Sequence, residues 1–278
     1  MSILYLIATP IGNLDDISAR ALKTLQEVTV ILAEDTRRTG KLLAHYGIKT
    51  PLSSYYEHNK IIKLPEILER LEKGNLALVS DAGTPLLNDP GYELVQSALT
   101  AGHDVSPIPG PSAPLSALIV SGLPADAFLY LGYLPRKDSD RRQKIKEIAE
   151  LPYTIIILEA PHRLLTTLSA LFTELGDRQI AVARELTKMY EEVQRGMISE
   201  VVEHFTNRKP RGEFTLVIEG FYPMVETWSV EKLETEIEAR MINNQPVSTA
   251  AKEISIKSGW PRRKIYNLLI EYQQKDKE

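Results

Sequence analysis

Cysteine is missing from all 278 residues, which excludes disulfides, thiolate-held zinc, iron–sulfur clusters and a cysteine nucleophile, and fits a reducing compartment. The five histidines lie at 45, 58, 103, 162 and 204 without paired spacing, so no metal site is expected. Charge of one sign is also lacking. With 33 basic and 37 acidic side chains and a net charge of −4, the chain has no global attraction for a polyanion, and nucleic acid could be met only by local basic patches. The longest uncharged stretch, residues 105–125, carries Pro107, Pro109, Pro111, Gly110, Pro114, Gly122 and Pro124. A bilayer offers no partners for the backbone groups these would free, so the stretch reads as buried strand, loop and helix, with no membrane partner. The start, MSILYLIATPIGN, has no basic segment and soon meets Pro10 and Gly12. It reads as a first strand, not as a signal peptide, and the expected location is the cytoplasm.

What is present is an ordinary globular balance, 43% hydrophobic and 25% charged, in a chain too long for one core. Apolar runs at residues 3–8, 28–33, 76–80 and 105–108 alternate with amphipathic stretches such as 14–25, predicting a mainly parallel sheet covered by helices. The polar run LPRKDSDRRQKIK (134–146) reads as an interdomain connection. Strands at 153–159, 179–184 and 214–219 and a helix at 162–175 predict a second α/β unit. Beyond Trp228 only helical periodicity remains. The expected fold class is therefore α/β, with domains at 1–134, 135–226 and a small helical module at 227–278.

In the first half each strand runs directly into a loop of Gly, Pro, Ser, Thr or Asp: TPIGN after the first, EDTRR after the second, SDAGTP and PGPSAP after the next two. Such loops let a ligand approach backbone N–H groups at the carboxyl ends of strands. None fits G-x-G-x-x-G or G-x-x-x-x-G-K-[ST], which removes the usual support for a dinucleotide fold or a P-loop.

The segments IATPIGNLDDIS, AEDTRRTGKLL, LVSDAGTPLLNDPG, PIPGPSAPLSAL, LEAPHRL and VARELTKMYEEVQRG, in this order and spacing, resemble the tetrapyrrole methylase superfamily. Within it they are similar to the ribosomal RNA small subunit methyltransferase I family, over essentially the whole chain. The resemblance implies two α/β domains with S-adenosylmethionine in the cleft between them, a homodimer, and 2′-O-methylation of a decoding-region cytidine in 16S rRNA, free or in the small ribosomal subunit. It implies cofactor contacts at Thr9, Pro10, Asp81, Thr84, Pro85, Ser112 and Ala113, and at Ala160, Ala183 and Thr215 of the second domain. The residue types agree: a carboxylate accepts hydrogen bonds, small residues admit a ligand close to backbone, and a helix start suits a carboxylate. Loop one lacks the extra glycines of the vitamin-B12-pathway members, which disfavours a corrin substrate.

Transfer to a ribose hydroxyl needs an in-line acceptor and a base for its proton. Candidates are Glu34, Asp35, His162, and Glu185 with Arg184 beside it. Asp35 can equally be a helix cap, His162 a helix-opening surface residue, and Arg184–Glu185 a structural ion pair at a strand end. For RNA, two basic patches stand out: residues 136–146, with Arg136, Arg141 and Arg142, and the tail, where Arg262, Arg263 and Lys264 open the second of two short helices as in a helix-turn-helix. A solvated linker and an assembly module are the competing readings. The alternative functions are a tetrapyrrole C-methyltransferase and a metabolite-sensing nucleic-acid-binding regulator.

Overall fold

The computed structural model describes residues 2–206, 208, 210–222, 228–242 and 245–275. Its contacts divide the chain into Met1–Phe221 and Tyr222–Glu278. In the first unit, strands β1 (Ile3–Ile7), β2 (Val30–Ala33), β3 (Leu52–Ser54), β4 (Leu76–Val79) and β5 (Asp104–Ile108) form a sheet in the order β3-β2-β4-β1-β5. All its pairings are parallel.

Alternation explains why three central strands read as unbroken apolar runs. Leu4, Val30, Leu32, Leu76 and Leu78 face one core with Ile67 and Leu71 of helix α3 (Lys60–Lys73) and Leu94 of α4 (Tyr92–Thr100). Ile7, Ile31, Ala33, Ala77 and Val79 face another, with Ala21 and Leu25 of α1 (Ala19–Glu27) and Leu43 of α2 (Thr36–His45). With both faces covered, every strand residue gains from burial, about 1.5–3 kcal/mol for each large aliphatic side chain. The single helix expected over 14–25 is two pieces. Ser18 accepts the Ala21 N–H at 3.1 Å and caps α1, leaving Leu14–Asp16 as a separate 3-10 turn.

The second sheet is mixed. Strands β6 (Phe128–Tyr133), β7 (Thr154–Glu159), β8 (Gln179–Arg184), β9 (Glu192–Met197) and β10 (Phe214–Ile218) lie in the order β6-β7-β10-β8-β9. Helices α6 (Asp138–Glu147), α7 (Leu164–Leu175) and α8 (Ile198–Thr206) cover one face. The other face, with Ile156, Ala181, Ala183 and Val217, packs on Ala117 and Leu118 of α5 (Ala113–Ser121), the helix that leaves the first sheet.

Two expectations are corrected. The sheets divide before residue 128 and not at 134, because β6 pairs with β7 and α5 already packs under the second sheet. The expected linker is mostly helix α6. Asp138 in its first turn pairs with Arg141 and Arg142 one turn on, Ile145 is buried, and Lys144 and Lys146 sit at the carbonyl end.

The second unit holds α9 (Val230–Ile242), α10 (Val247–Ser258) and α11 (Arg262–Lys275) around Leu233, Ile237, Ala250, Ala251, Ile254, Ile265 and Leu269. Gly259, at φ +68°, turns the chain between α10 and α11, and the buried Ser258 carbonyl accepts the Trp228 N–H.

Candidate functional site

Because β1, β2, β4 and β5 are parallel, the four loops that follow them meet at one edge of the sheet. The Thr9 hydroxyl donates to the Ser80 carbonyl at 3.1 Å, and Thr9 and Gly83 exchange backbone hydrogen bonds at 2.9 and 3.0 Å. Gly83 has φ +83°, where a side chain would be strained. Thr84 donates to the Pro111 carbonyl at 3.2 Å, tying the loop after β4 to the one before α5, and Pro85 is buried beneath them. Thr9, Pro10, Ser80, Asp81, Arg38 and Lys41 line a cleft of about 200 Å³.

Next to it, Ile11, Ala113, Ala183, Leu186 and Thr215 line a narrow recess of about 30 Å³, rimmed by Glu185 and Glu213. Adjacent residues of loop one thus line both spaces. Ala183 and Thr215 face each other across β8 and β10, so the recess takes small residues from α5 and from the second sheet. Ser112 precedes α5 at its N-cap position but makes no capping bond, and its buried hydroxyl has no partner among the described residues. An unpaired buried hydroxyl beside free helix N–H groups and small side chains suits an anionic, hydrogen-bonding ligand.

Asp81 is less free than the sequence implied. It accepts the Asp35 N–H at 3.0 Å and pairs with Arg38 at 3.1 Å. Asp35 caps α2, accepting the Arg37 N–H at 2.9 Å, and also binds the Arg37 guanidinium at 2.7 Å. These bonds hold its carboxyl well below the usual range. Glu34 goes the other way: burial, then the nearby Asp81 charge, raise its pKa. Asp89, which the sequence reading did not single out, joins them. Burial first, then Glu34 and Asp81, push its pKa up to about 7, against a hydrogen bond from Ser80.

The loop carrying Asp89 is fixed to the second sheet. Leu86 and Asn88 adopt φ of 70° and 68°, a costly conformation away from glycine. Asn88 accepts the Tyr130 hydroxyl at 2.6 Å. It also packs so closely on Gly132 that a Cβ there would lie 2.3 Å from its Oδ1.

In the second sheet β6, β7 and β8 point the same way, with β10 antiparallel between β7 and β8. Their carboxyl ends therefore bring Tyr133, Ala160, His162, Arg184 and Glu185 to one edge. Arg184 and Glu185 do not pair with each other. Arg184 donates to the Arg211 carbonyl at 2.7 Å and meets Glu192 at 3.2 Å. Glu185, at φ +49°, accepts from Lys188 and from the Glu213 N–H, both at 3.0 Å. Burial opposes its charge, but these donors outweigh it and lower the pKa. Ala160 and His162 line a separate cavity with Tyr133 and Arg136, so the structure does not bring Ala160 to the recess.

The basic patches differ as well. Arg141 is 5% exposed and tied to Asp138, and Arg142 meets Asp138 at 2.9 Å and Glu174 at 3.0 Å. Arg136 is exposed. Arg262, Arg263 and Lys264 are all exposed at the start of α11, with the Lys264 ammonium 4.4 Å from the Trp260 ring centre. Among the described residues no group of carboxylates and histidines could hold a metal, and no helix is long and apolar enough to cross a membrane.

Comparison with known proteins adds to this geometry. A family model described as tetrapyrrole (corrin/porphyrin) methylases matches residues 3–202. A Synechocystis protein named ribosomal RNA small subunit methyltransferase I is 47% identical over 274 residues, 98% of each chain. A Thermotoga maritima protein of the same name is 48% identical over 221 residues, 79% of this chain and 99% of its own length. Among solved structures, uroporphyrin-III C-methyl transferase from Thermus thermophilus complexed with S-adenyl homocysteine superimposes with a TM-score of 0.56 at 19% identity, over 78% of this chain and 97% of that one. A diphthine synthase gives a TM-score of 0.61 at 14% identity, over 79% and 90%.

Proposed function

The chain belongs to the tetrapyrrole methylase family and, within it, to the ribosomal RNA small subunit methyltransferase I family, and on that basis we propose that it methylates the ribose 2′-oxygen of a cytidine in 16S rRNA with S-adenosylmethionine. The observation carrying the rRNA reading is likeness over the full chain, since the fold alone is shared with C-methyl transferases. When bound, the cofactor supplies an electrophilic methyl group. Ser112 and the first N–H groups of α5 would take its carboxylate, while Ala113 and Ala183 keep the recess clear of side-chain bulk.

The proton of the acceptor hydroxyl must go to a group whose pKa lies near the working pH. Asp35 and Glu185 are anions already held by hydrogen bonds and are weak acceptors. Burial, then the charges of Glu34 and Asp81, push Asp89 up to about 7, which favours it, with Glu34 beside it, over Asp35 and Glu185. Residue Asp81 then acts by placing Arg38 and the Asp35 backbone. A homodimer is the proposed assembly, supported by Leu115 and Ile119 standing exposed on α5, and the substrate implies a cytoplasmic location.

Labelled S-adenosylmethionine, offered with 16S rRNA and with small subunits lacking the modification, tests the reading. Label on a cytidine 2′-oxygen is expected. Label on a base carbon, or only on a tetrapyrrole, overturns it.

A further inference from the structure

The largest of these spaces, about 710 Å³, lies at the carboxyl ends of β6 and β7 and takes no part in the recess attributed to the cofactor. That volume falls within the range of about 300–1,000 Å³ typical of sites for small organic groups. Its walls are Tyr133, Pro135, Arg136, Ala160, His162 and Arg163. Tyr133 is 52% exposed, so one part of the ring is held while the rest is open.

Arg136 stands apart from its neighbours. Lys137, Arg141, Arg142, Lys144 and Lys146 each have a carboxylate within ion-pair distance, on Asp138, Asp140, Glu147 or Glu174. Among the described residues Arg136 has none, and the side chain of His162 likewise makes no hydrogen bond. An unpaired guanidinium beside an open aromatic face is a combination that fits a nucleotide: a phosphate for one, a base for the other.

The wall that carries these groups is built from inside. Glu159 is 1% exposed and accepts the Ala160 N–H at 2.8 Å and the Thr167 hydroxyl at 2.5 Å. It meets Arg163 at 3.3 Å. Arg163 in turn donates to the carbonyls of Leu134 at 2.9 Å and Pro135 at 3.1 Å. Its charge and its Nη2 group are thus engaged, and its role is to hold the turn between Tyr133 and Arg136.

We propose that this cavity is a nucleotide subsite, in which one base of the RNA stacks on Tyr133, its phosphate pairs with Arg136, and His162 offers a hydrogen bond to the base edge or sugar. The inference rests on the rRNA reading above and adds where the strand is gripped. Arg163 and Glu159 are positioning residues.

The test measures transfer kinetics and equilibrium binding on small subunits lacking the modification, with S-adenosylhomocysteine titrations in parallel. Tyr133→Ala should raise the KM for subunits about tenfold, the scale of a lost base–aromatic stack, while Tyr133→Trp restores it. Arg136→Gln should weaken binding and lower the slope of log affinity against log salt by about 0.7, as expected for one single-strand phosphate contact; Tyr133→Ala should leave that slope alone. Arg163→Lys, which keeps the charge but loses the two carbonyl bonds, should raise KM with cofactor affinity unchanged. Wild-type KM and salt slope in both the Tyr133 and Arg136 variants would overturn the subsite while leaving the rRNA reading intact. Weaker S-adenosylhomocysteine binding in Tyr133→Ala would reassign the cavity to the cofactor. A wild-type protein that transfers no methyl to rRNA would overturn both.

Discussion

The carboxyl edges of the two sheets carry opposite chemistry. At the first, Glu34, Asp81 and Asp89 crowd together, and burial, then the neighbouring negative charge, raises the pKa values of Glu34 and Asp89; at the second, Tyr133, Arg136 and His162 face an open cavity and the carboxylates Glu159 and Glu185 are tied down by donors. The contrast teaches a division of labour. An acidic edge would repel phosphates but can accept a proton near neutral pH, while the second edge can hold a polyanion and keeps its carboxylates engaged.

The most severe break of this contrast is at Asp89. Asp89→Asn and Glu34→Gln should slow single-turnover transfer by about 10²-fold or more, the usual scale of a general base. Cofactor affinity should stay as it was. Since the deprotonated form accepts the proton, the wild-type rate should rise with pH up to about 7 and level above it, and Asp89→Asn should lose that limb. Retention of the limb would move the base elsewhere.

A second variant probes the recess that takes residues from both halves. Ala183→Leu fills it, and should weaken S-adenosylhomocysteine binding about tenfold or more in calorimetry, given the ~1–3 kcal/mol cost of overpacking. The subunit salt slope should not change.

Stability gives a third and smaller effect. The folded Asp89 carboxyl sits at about 7 against an ordinary 3.8, so the folded protein keeps a proton that the unfolded chain releases at lower pH. Its contribution is complete below the unfolded value and is lost as pH rises through about 7. Discounted for partial solvent exposure, Asp89→Asn should gain about 1–2 kcal/mol at pH 8 and little at pH 4, read from denaturant midpoints. An equal change at both pH values would mean that the carboxyl is charged throughout.

The smallest effect is expected from the tail. Replacing Arg262, Arg263 and Lys264 with Ala should weaken subunit binding about threefold to tenfold and flatten its salt dependence. Cofactor affinity should stay the same, since none of the described tail residues lines the cleft or recess. An unchanged slope would make the helix pair an assembly element. The Thermotoga relative, 99% of whose length is matched by 221 residues, makes this comparison worth drawing.

The loops of the first edge were legible because parallel strands must end in turns rich in Gly, Pro and Asp, and those residues announce themselves locally. Asp89 lies within one of those motifs, yet its raised pKa comes first from burial and then from the charge of Glu34, 55 positions away in the chain, a proximity that no local pattern encodes. Strand β9, EVQRGM, is an edge strand whose register comes from backbone bonds to β8; without alternating apolar residues it gave no signal. For β6 the signal existed in FLYLGY, but the polar run that starts at Leu134 and Pro135 read as an interdomain connection and drew the boundary after it. The patch at 136–146 carries less free charge than its composition suggests, for a different reason. Composition counts charges, and only geometry tells which of them are already neutralised; Asp138, three and four residues before Arg141 and Arg142, was the available clue.

Helix α5 has a practical consequence for anyone cutting this protein into pieces. Its first turn frames the recess, and its flank, through Ala117 and Leu118, is part of the second sheet's core. A fragment ending at residue 134 would carry both that flank and strand β6 away, baring apolar surface on one piece and an unpaired edge of β7 on the other, the kind of surface that drives aggregation. The two sheets are thus not exchangeable modules. Chimeras between relatives should tolerate a junction beyond Phe221 far better than one at 134, and ligand held at the start of α5 should slow amide exchange in β8 and β10 of the other sheet.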